Sequence, residues 1–381
     1  MLDEEKPLGI YIHIPFCNKK CDYCDFVSYS MDRKAQENYL AALFAEIDLV
    51  KDRFVDRTFD SIYIGGGNPS IVYEGFIVSL ARKIYSSFHV LPKSEFTIEV
   101  NPSSFTREKF FEYLEAGVNR ISVGVQCIDM NILANQGRIQ SVESIKETFD
   151  LLKESQFANV NGDVMIGLPG QTAEHVMDTI DFLIKHRVKH ISLYSLQVEK
   201  HTYLYDKLRR GEITLPNEDD IAEIYNQASK LLKKNGFLRY EISNFAKPKY
   251  ESRHNKKYWD GSEYLGLGVS AHSFIDGYRY YNTKRLDTFI EHMQEGGTPV
   301  YSKEYVTKAK QRTEKIMLSL RTSKGLNLEE FKQEFGDDLL RTKANAIYMF
   351  KDKGMVTIEK GYLKICEDYA YVSNSIISAL I

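Results

Sequence analysis

Cysteine, tryptophan and proline are scarce in this chain of 381 residues, which has five Cys, one Trp and nine Pro. An odd number of cysteines in a long chain argues against a disulfide framework and for a reducing compartment. No uncharged apolar stretch is long enough to span a bilayer, and the acidic first seven residues do not resemble a signal peptide. The net charge of −3 gives no global basic field for nucleic acid. The composition therefore predicts a cytoplasmic protein of two or three domains.

Three of the five cysteines, Cys17, Cys21 and Cys24, fall within eight residues. They follow an alternating segment and a proline, so we expect a thiolate loop at the end of a strand. Soft thiolates in such a loop suit an iron–sulfur cluster, and three ligands leave one iron open for chemistry. A structural zinc site is the weaker alternative, because it normally takes a second Cys or His pair, whereas Cys127 and Cys366 stand alone.

The first half of the chain alternates strand and helix patterns in the βα order that builds a parallel sheet or barrel. The predicted strands are 8–14, 61–64, 95–100, 120–126, 159–165 and 190–196, and the predicted helices between them are 35–50, 73–88, 107–116, 142–154 and 173–186. The pattern therefore predicts six strand-led units.

Each predicted strand keeps one apolar and one polar phase, whereas buried parallel strands are usually apolar throughout. The polar phase includes His13, Glu99, Gln126 and Asp163. Because side chains alternate faces with period two, we expect the apolar phase under the helices and the polar phase in the lumen. Since unpaired buried polar groups cost about 1–3 kcal/mol each, the lumen is predicted to be wet or filled by a polar ligand.

A glycine triplet, Gly65-Gly66-Gly67, follows the second strand and precedes Asn68 and Pro69. Its bare backbone can approach the amino or carboxylate group of a ligand closely. Taken alone, the triplet is explained equally well by a tight turn between a strand and a helix.

The Cys-x3-Cys-x2-Cys loop followed by this triplet resembles the radical S-adenosylmethionine (SAM) superfamily. The resemblance implies an α/β fold with a partial (β/α)6 TIM-like barrel. It also implies a [4Fe–4S] cluster on the three cysteines, whose fourth iron chelates SAM and whose electron cleaves SAM to methionine and a 5′-deoxyadenosyl radical. The implied cofactor-binding residues are Tyr11, Tyr23, Gly66, Gly67, Asn68, Glu99, Gln126, Arg138 and Asp163. A structural pair inside the barrel is the other explanation for each polar position.

Within that superfamily the chain is similar to the group that contains oxygen-independent coproporphyrinogen III oxidase and the HemW-type haem chaperones. The similar segments are 11–26, 65–70, 117–126, 167–172, 240–244, 254–259, 264–273, 316–321 and 325–328. Two features favour the chaperones. Phe26 stands where the oxidase carries another cysteine, and the hexapeptide from His254 to Trp259 matches the His-Asn-x-x-Tyr-Trp signature of the chaperones.

The hexapeptide suits haem chemically. A neutral imidazole is a common axial ligand of haem iron, and Tyr258 and Trp259 supply flat apolar surface for a porphyrin. The resemblance therefore implies His254 as a metal ligand, with Lys256 and Lys257 near the propionates. Packing around a hydrogen-bonded imidazole is the other explanation. His13 is predicted to anchor the cluster loop or the substrate rather than to bind haem.

Five positions depart from the family pattern. Asn68 replaces Thr, Cys127 replaces Ser, Gln140 replaces His, and Val269-Ser270 replaces Pro-Gly. Asn still donates and accepts hydrogen bonds, so we expect SAM binding to survive. The exchange at 269–270 predicts a differently shaped loop.

The last part of the chain predicts helices with a short apolar hairpin, 355–358 and 362–365, which resembles a winged-helix-like domain. Residues 301–381 hold 14 Lys and Arg against 11 Asp and Glu, so a lid or docking module is favoured over a nucleic-acid reader. We predict three regions: a barrel at 1–235, an α+β accessory region with the hexapeptide at 236–300, and the winged-helix-like domain at 301–381.

Three functions follow from these patterns. The first is a haem chaperone without oxidase activity that inserts haem into acceptors such as membrane-associated respiratory enzymes, as a monomer or a cluster-dependent dimer. The second is a radical SAM enzyme such as coproporphyrinogen III oxidase or a related tetrapyrrole-modifying enzyme. The third, a DNA-associated regulator, requires salt-sensitive DNA binding. Phe26 and the hexapeptide favour the first.

Overall fold

The computed structural model describes residues 6–30 and 32–381. The strands are β1 (Leu8–Ile14), β2 (Thr58–Gly66), β3 (His89–Val100), β4 (Arg120–Gln126), β5 (Val160–Ile166), β6 (His190–Ser195), β7 (Leu238–Arg239), β8 (Asn244–Ala246), β9 (Tyr264–Leu267), β10 (His272–Ile275), β11 (Tyr278–Asn282), β12 (Val300–Tyr305), β13 (Leu326–Asn327), β14 (Val356–Glu359) and β15 (Tyr362–Ile365). The helices are α1 (Arg33–Val50), α2 (Phe76–Ser87), α3 (Arg107–Glu115), α4 (Met130–Ala134), α5 (Val142–Glu154), α6 (Ala173–Lys185), α7 (Tyr203–Arg209), α8 (Glu218–Lys234), α9 (Arg253–Asp260), α10 (Leu286–Gln294), α11 (Lys308–Leu320), α12 (Leu328–Phe335), α13 (Leu339–Thr342), α14 (Ala344–Asp352) and α15 (Ser373–Leu380).

One large sheet runs through the molecule in the order β12-β11-β10-β9-β1-β2-β3-β4-β5-β6-β8-β7. Strands β1 to β6 lie side by side and are parallel. Strands β1 and β6 do not pair with each other. The outer edge of β1 pairs with β9 instead, and the outer edge of β6 pairs with β8. The barrel therefore stays open, which confirms the predicted partial (β/α)6 architecture, and strands of the accessory region extend both edges.

The predicted strands and helices are present, with shifts at their ends that have local causes. Strand β3 begins at His89 instead of residue 95, because His89 and Val90 already pair with the start of β2. Lys93 has a φ of 64° and interrupts the alternation there, so the pattern predicted only the second half of the strand. Helix α2 begins at Phe76 instead of residue 73, after Gly75 with a φ of 85°.

The side chains of the barrel strands alternate as predicted, with the apolar ones in the core and the polar ones in the lumen. The apolar phase of β1, formed by Ile10, Ile12 and Ile14, is fully buried in the main core. The opposite phase, which includes Tyr11 and His13, faces a cavity inside the barrel. The polar positions of the strands are therefore the positions that a bound ligand meets.

The C-terminal region forms its own small core around residues such as Ile316, Phe331 and Leu380. Strands β13, β15 and β14 make a separate antiparallel sheet, with the predicted hairpin turning at Lys360 and Gly361. The boundaries 1–235, 236–300 and 301–381 remain a proposal. Across the described residues, no helix has the length and apolar character that crossing a membrane requires.

Glu46 on α1 ties that helix to the turn between β9 and β10. Its carboxylate is 2% exposed and accepts hydrogen bonds from the Gly268 backbone N–H at 2.6 Å and from Asn282 Nδ2 at 2.6 Å. Burial raises the pKa of Glu46 to about 7, although these hydrogen bonds oppose the rise. Ser270 in the same turn has a φ of 61°, a conformation that favours the glycine of the family pattern.

Glu46→Gln is expected to reduce the pH dependence of unfolding. The carboxyl pKa is about 7 in the folded chain, against an ordinary value of 4.5, so between these values the folded state holds a proton that the unfolded state has released. The contribution of Glu46 to the free energy of unfolding is therefore fully present below pH 4.5 and is lost as the pH rises through about 7. Denaturant titrations at about pH 5 and about pH 8 measure this loss in wild type and variant.

Glu37→Gln is the control, because Glu37 lies on the same helix in an exposed pair with Arg33. Surface pairs of this kind are worth about 0–1 kcal/mol, so this variant should keep the wild-type pH profile. A Glu46→Gln profile as steep as that of the wild type would contradict the raised pKa.

Candidate functional site

A cavity of about 1010 Å³ opens where β1 to β6 end. Its wall consists of the lumen-facing side chains and of the loops that follow these strands. The predicted site residues in the wall are Tyr11, Cys17, Cys21, Tyr23, Cys24, Gly66, Gly67, Asn68, Glu99, Gln126, Arg138, Asp163 and Tyr258. His254 and Trp259 do not belong to the wall. The fold thus gathers the predicted cluster and SAM residues into one space, together with one residue of the hexapeptide.

The cysteine loop is held by the segments that follow β4 and β6. The Asp22 backbone N–H donates to the carbonyl of Gln136 at 2.9 Å, and the Asp22 carbonyl accepts from Leu204 N–H at 2.8 Å. Lys207 on α7 pairs with the Asp22 carboxylate at 2.8 Å. These contacts fix the middle of the loop, and the sequence pattern did not identify any of them.

His13 holds the other end of the loop. Its Nε2 lies 2.9 Å from the Val27 carbonyl, and its Nδ1 lies 3.0 Å from the Tyr11 hydroxyl. Burial lowers the pKa of His13 to about 4, so the imidazole is neutral. The contact with Val27 supports the predicted role of His13 as an anchor of the cysteine loop, and the alternative role as an anchor of the substrate stays a prediction.

The three thiols are half-buried and face the cavity. Burial raises the pKa of Cys17 to about 11, with the other two cysteines adding to the rise, and burial also raises the pKa of Cys24. Metal binding in this loop must therefore displace protons. Within the described residues, no three His, Cys, Asp or Glu side chains converge as a single metal ion requires. Three thiolates that line one cavity are the donor chemistry of an iron–sulfur cluster, so the donor set fits that cluster.

Each glycine of the triplet leaves space for a different neighbour. A Cβ on Gly65 would lie 2.8 Å from the Glu99 carboxyl, and a Cβ on Gly66 would lie 2.5 Å from the His13 ring. A Cβ on Gly67 would lie 2.6 Å from the Phe16 carbonyl oxygen. The triplet therefore lets this turn pack against both the strand that leads into the cysteine loop and a carboxylate of the lumen.

Glu99 is enclosed by groups that donate to it. Tyr63 donates its hydroxyl proton to Oε1 at 2.7 Å, and the Gly66 backbone N–H donates to Oε2 at 3.0 Å. Burial raises the pKa of Glu99 to about 7, and the nearby Asp163 adds to the rise. A cationic group in the cavity would stabilise the ionised form.

Asn68 faces both the cavity and its own turn. Its Oδ1 accepts from the Ser70 backbone N–H at 3.1 Å, and its Nδ2 donates to Ser104 Oγ at 3.0 Å. The side-chain amide of Asn68 therefore both accepts and donates a hydrogen bond at this turn. We expected this hydrogen-bonding capacity where Asn stands in place of Thr.

Arg138 brings a positive charge to the cysteine loop. Its guanidinium lies 3.3 Å from the Tyr23 hydroxyl and 3.9 Å from Cys21 Sγ, and it also donates to Gln140 Oε1 at 3.1 Å. Gln126, at the end of β4, has a φ of 67° beside a register shift between β4 and β5. Such a bulge redirects a side chain at the rim of a barrel.

Asp163 belongs to a buried polar network. Asn161 Nδ2 donates to Asp163 Oδ1 at 2.7 Å and to Ser122 Oγ at 2.6 Å. His190 Nδ1 lies 2.6 Å from Asn161 Oδ1, and His190 Nε2 lies 2.8 Å from the Tyr240 hydroxyl. Asp163 therefore has a structural hydrogen-bond partner, Asn161, inside the barrel, and it also lines the cavity.

The hexapeptide lies on α9, which covers the amino-terminal end of the barrel lumen. His254 is 1% exposed, with Nδ1 at 3.0 Å from Ser61 Oγ and Nε2 at 2.9 Å from the Tyr258 hydroxyl. Burial lowers the pKa of His254 to about 3, so the ring is neutral. Trp259 is half-buried outside the cavity wall.

The two lysines of the hexapeptide have protein partners. Lys256 pairs with Glu251 at 2.7 Å on the surface. Lys257 is buried, pairs with Asp60 at 2.7 Å and donates to the Pro7 carbonyl at 2.6 Å. Neither lysine lies in the cavity wall, and their predicted contact with haem propionates remains a prediction.

Several wall residues were not predicted as site residues. Among them are Tyr63, Tyr194, Tyr264, His272 and Lys284. Tyr63 and Tyr194 lie in the lumen phase of β2 and β6, so strand alternation could have identified them. The other three come from the segment that returns beside β1, and no local pattern places that segment there.

Two family models match the chain. Residues 11–183 match the Radical SAM superfamily, and residues 306–366 match the HemN C-terminal domain. A solved structure of coproporphyrinogen III oxidase (HemN) from Escherichia coli, described as a radical SAM enzyme, superposes with a TM-score of 0.86 at 22% identity. It covers 99% of this chain and 90% of that chain. At this identity the likeness shows the fold.

Curated relatives match most of the sequence. The haem chaperone HemW of Bacillus subtilis is 32% identical over 372 residues, which are 97% of this chain and 98% of the relative. HemW of Lactococcus lactis is 34% identical over 87% of this chain and 86% of the relative. HemW of Escherichia coli is 34% identical over 71% and 72% of the two chains. The chain therefore belongs to the HemW family within the radical SAM superfamily.

Proposed function

We propose that this chain is a haem chaperone, which binds haem in the barrel cavity and transfers it to acceptor proteins. The relatives named haem chaperones support this function. The observation that carries it is the cavity of about 1010 Å³, whose wall joins the cysteine loop to the aromatic side chains Tyr258 and Tyr264. Small-molecule and cofactor sites usually occupy about 300–1,000 Å³. The cavity therefore has room for a large flat ligand beside SAM.

The cofactor side of the cavity is assigned to the cluster and SAM. Cys17, Cys21 and Cys24 would hold the [4Fe–4S] cluster, which when bound offers an open iron position to the amino and carboxylate groups of SAM. Gly66, Gly67 and Asn68 would contact the methionine end of SAM, and Tyr11, Tyr23, Glu99, Gln126, Arg138 and Asp163 would hold the remainder. The glycine turn supports this role, because its bare backbone borders both the cysteine-loop strand and the Glu99 carboxyl.

The haem side is assigned to the hexapeptide, with Tyr258 in the wall and His254 and Trp259 behind it. Acceptors would be haem proteins such as membrane-associated respiratory enzymes, and the chaperone would act in the cytoplasm as a monomer or a cluster-dependent dimer. The C-terminal region is proposed as a lid or docking module. Its contacts with the other two regions support that role: Glu314 pairs with Arg279 of the accessory region at 2.9 Å, and the Tyr371 hydroxyl lies 3.0 Å from Ser195 Oγ of the barrel.

Serine at any one of Cys17, Cys21 and Cys24 is expected to abolish cluster assembly, because each thiolate is proposed to bind a separate iron. The measurement is iron and acid-labile sulfide per chain after anaerobic reconstitution. Cys366→Ser is the matched control, since Cys366 lies in the C-terminal region and outside the cavity wall. Full iron content in a Cys21→Ser protein would remove the cluster assignment.

Glu99→Gln is expected to weaken SAM binding about tenfold or more, since a hydrogen bond to a charged group contributes about 1.5–3 kcal/mol. Equilibrium dialysis of labelled SAM against the cluster-loaded protein measures the effect at about pH 8, above the raised pKa of about 7. Glu108→Gln on α3 is the control, because Glu108 is exposed and outside the cavity wall. Equal SAM affinity in wild type and Glu99→Gln would leave Glu99 a structural partner of Tyr63.

Anaerobic haem titration followed by the visible spectrum tests the function itself. The wild type is expected to bind haem saturably and stoichiometrically, and His254→Ala is expected to bind it about tenfold or more weakly, since His254 supports the wall at Tyr258. Coproporphyrinogen added to cluster-loaded protein with SAM should release no 5′-deoxyadenosine. His89→Ala is the control, because His89 is exposed at the start of β3 and outside the wall.

Two results would contradict the proposal. Absence of saturable haem binding in the wild type would remove the chaperone function. Coproporphyrinogen-dependent 5′-deoxyadenosine release without haem binding would make the chain a tetrapyrrole-modifying radical enzyme.

A further inference from the structure

The imidazole of His254 is enclosed on both of its nitrogen atoms. Nδ1 lies 3.0 Å from Ser61 Oγ on β2, and Nε2 lies 2.9 Å from the Tyr258 hydroxyl. The ring packs at 5.2 Å from the Tyr63 ring and fills the space beside Gly9, where a Cβ would come within 3.0 Å of it. To bind an iron atom, His254 would have to leave a hydrogen bond and a packed site.

Tyr258 lies between this imidazole and the cavity. It is half-buried, belongs to the cavity wall and meets the Tyr264 ring edge-on at 4.7 Å. Within the described part of the chain, His254 is the one hydrogen-bond partner of its hydroxyl. A neutral imidazole pairs with these two hydroxyls in either tautomer: Nε2 accepts from the phenol while Nδ1–H donates to Ser61 Oγ, or Nε2–H donates to the phenol oxygen while Ser61 donates to Nδ1.

The helix that carries this pair is fixed to the barrel. Glu95 on β3 accepts from the backbone N–H groups of Arg253 at 2.9 Å and His254 at 3.1 Å, at the first turn of α9. Lys257, one turn after His254, binds the helix to Asp60 at 2.7 Å. His254 and Tyr258 are four residues apart and so share one helix face. The phenol and its imidazole partner are thus held in register by the fold before any ligand binds.

We propose that Tyr258 is the residue that binds haem iron, and that His254 acts behind it as a positioning residue through its hydrogen bond to the phenol oxygen. Tyrosine is an established axial ligand of haem iron, as in catalase. In the binding step the phenol O–H bond breaks, the oxygen–iron bond forms, and the proton leaves to solvent through the cavity that Tyr258 lines, while the imidazole of His254 stays neutral. The proposal rests on the haem-chaperone function and names the ligand within that site.

The hexapeptide spacing acquires a physical reason in this arrangement. His at the second position of α9 and Tyr at the sixth place a neutral imidazole nitrogen behind the phenol, one helical turn away. Substituting either residue removes half of the pair, although only Tyr258 reaches the cavity.

Ferric haem binding by the full chain tests the proposal, read by the visible spectrum, electron paramagnetic resonance and resonance Raman scattering. The variants are Tyr258→Phe, Tyr264→Phe and His254→Gln. Wild type and Tyr264→Phe are expected to show iron–phenolate vibrations and a high-spin ferric signal. Tyr258→Phe should lose those vibrations and bind about tenfold or more weakly. His254→Gln should keep the vibrations at shifted frequency, because the iron–oxygen bond remains while its hydrogen-bond partner changes.

Tyr264→Phe is the matched control, since Tyr264 is the neighbouring wall tyrosine and loses the same hydroxyl. Wild-type haem with an imidazole spectrum that disappears in His254→Gln would overturn the proposal and leave the chaperone function standing. Phenolate vibrations lost in Tyr264→Phe and kept in Tyr258→Phe would also overturn it. No saturable haem binding by the wild type would instead overturn the chaperone function. The wild-type spectrum decides whether phenolate is bound even where a variant fails to fold.

Discussion

Polar side chains placed inside a parallel sheet have to find partners, and this requirement organises the whole molecule. Leaving such groups unpaired is costly in a low-dielectric interior. At the middle of the lumen, Asn161 joins Asp163, Ser122 and His190 into one network. Near that network, Glu99, Gln126 and Asp163 face the cavity, where a ligand can complete their hydrogen bonds. Stability and ligand binding therefore depend on the same strand faces.

The second constraint on the fold is that side chains and carbonyl groups must come close to the backbone at several glycines. At Gly65, Gly66 and Gly67 the positions of the missing Cβ atoms border the Glu99 carboxyl, the His13 ring and the Phe16 carbonyl. Gly9 does the same for the His254 ring at the other end of the lumen. Bare backbone thus lets the cluster loop, the cofactor turn and the hexapeptide helix meet the barrel without intervening side chains.

The hexapeptide shows how burial changes the meaning of a motif. As a string of residues it presents an imidazole beside two aromatic rings, which is typical of a haem ligand set. In the fold the imidazole lies beneath Tyr258 and is bound on both nitrogens, while Tyr258 faces the cavity. From the sequence, packing around a hydrogen-bonded imidazole is the other explanation of the hexapeptide. That packing is present around His254, and it positions Tyr258.

Local patterns in the sequence were sufficient for the βα order, the lumen phase of the strands, the three-cysteine loop and the C-terminal hairpin, because period-two alternation and ligand spacing are properties of neighbouring residues. They also placed His13 on the lumen side of β1, where it contacts the end of the cysteine loop. They could not find the Lys207–Asp22 pair, the Glu95 contacts at the start of α9, or the entry of Tyr264, His272 and Lys284 into the cavity wall. Those contacts join residues far apart in the chain. Only the pairing of β9 with β1 and the seating of α9 in the lumen bring them together, since tertiary packing and not local propensity decides which distant surfaces meet.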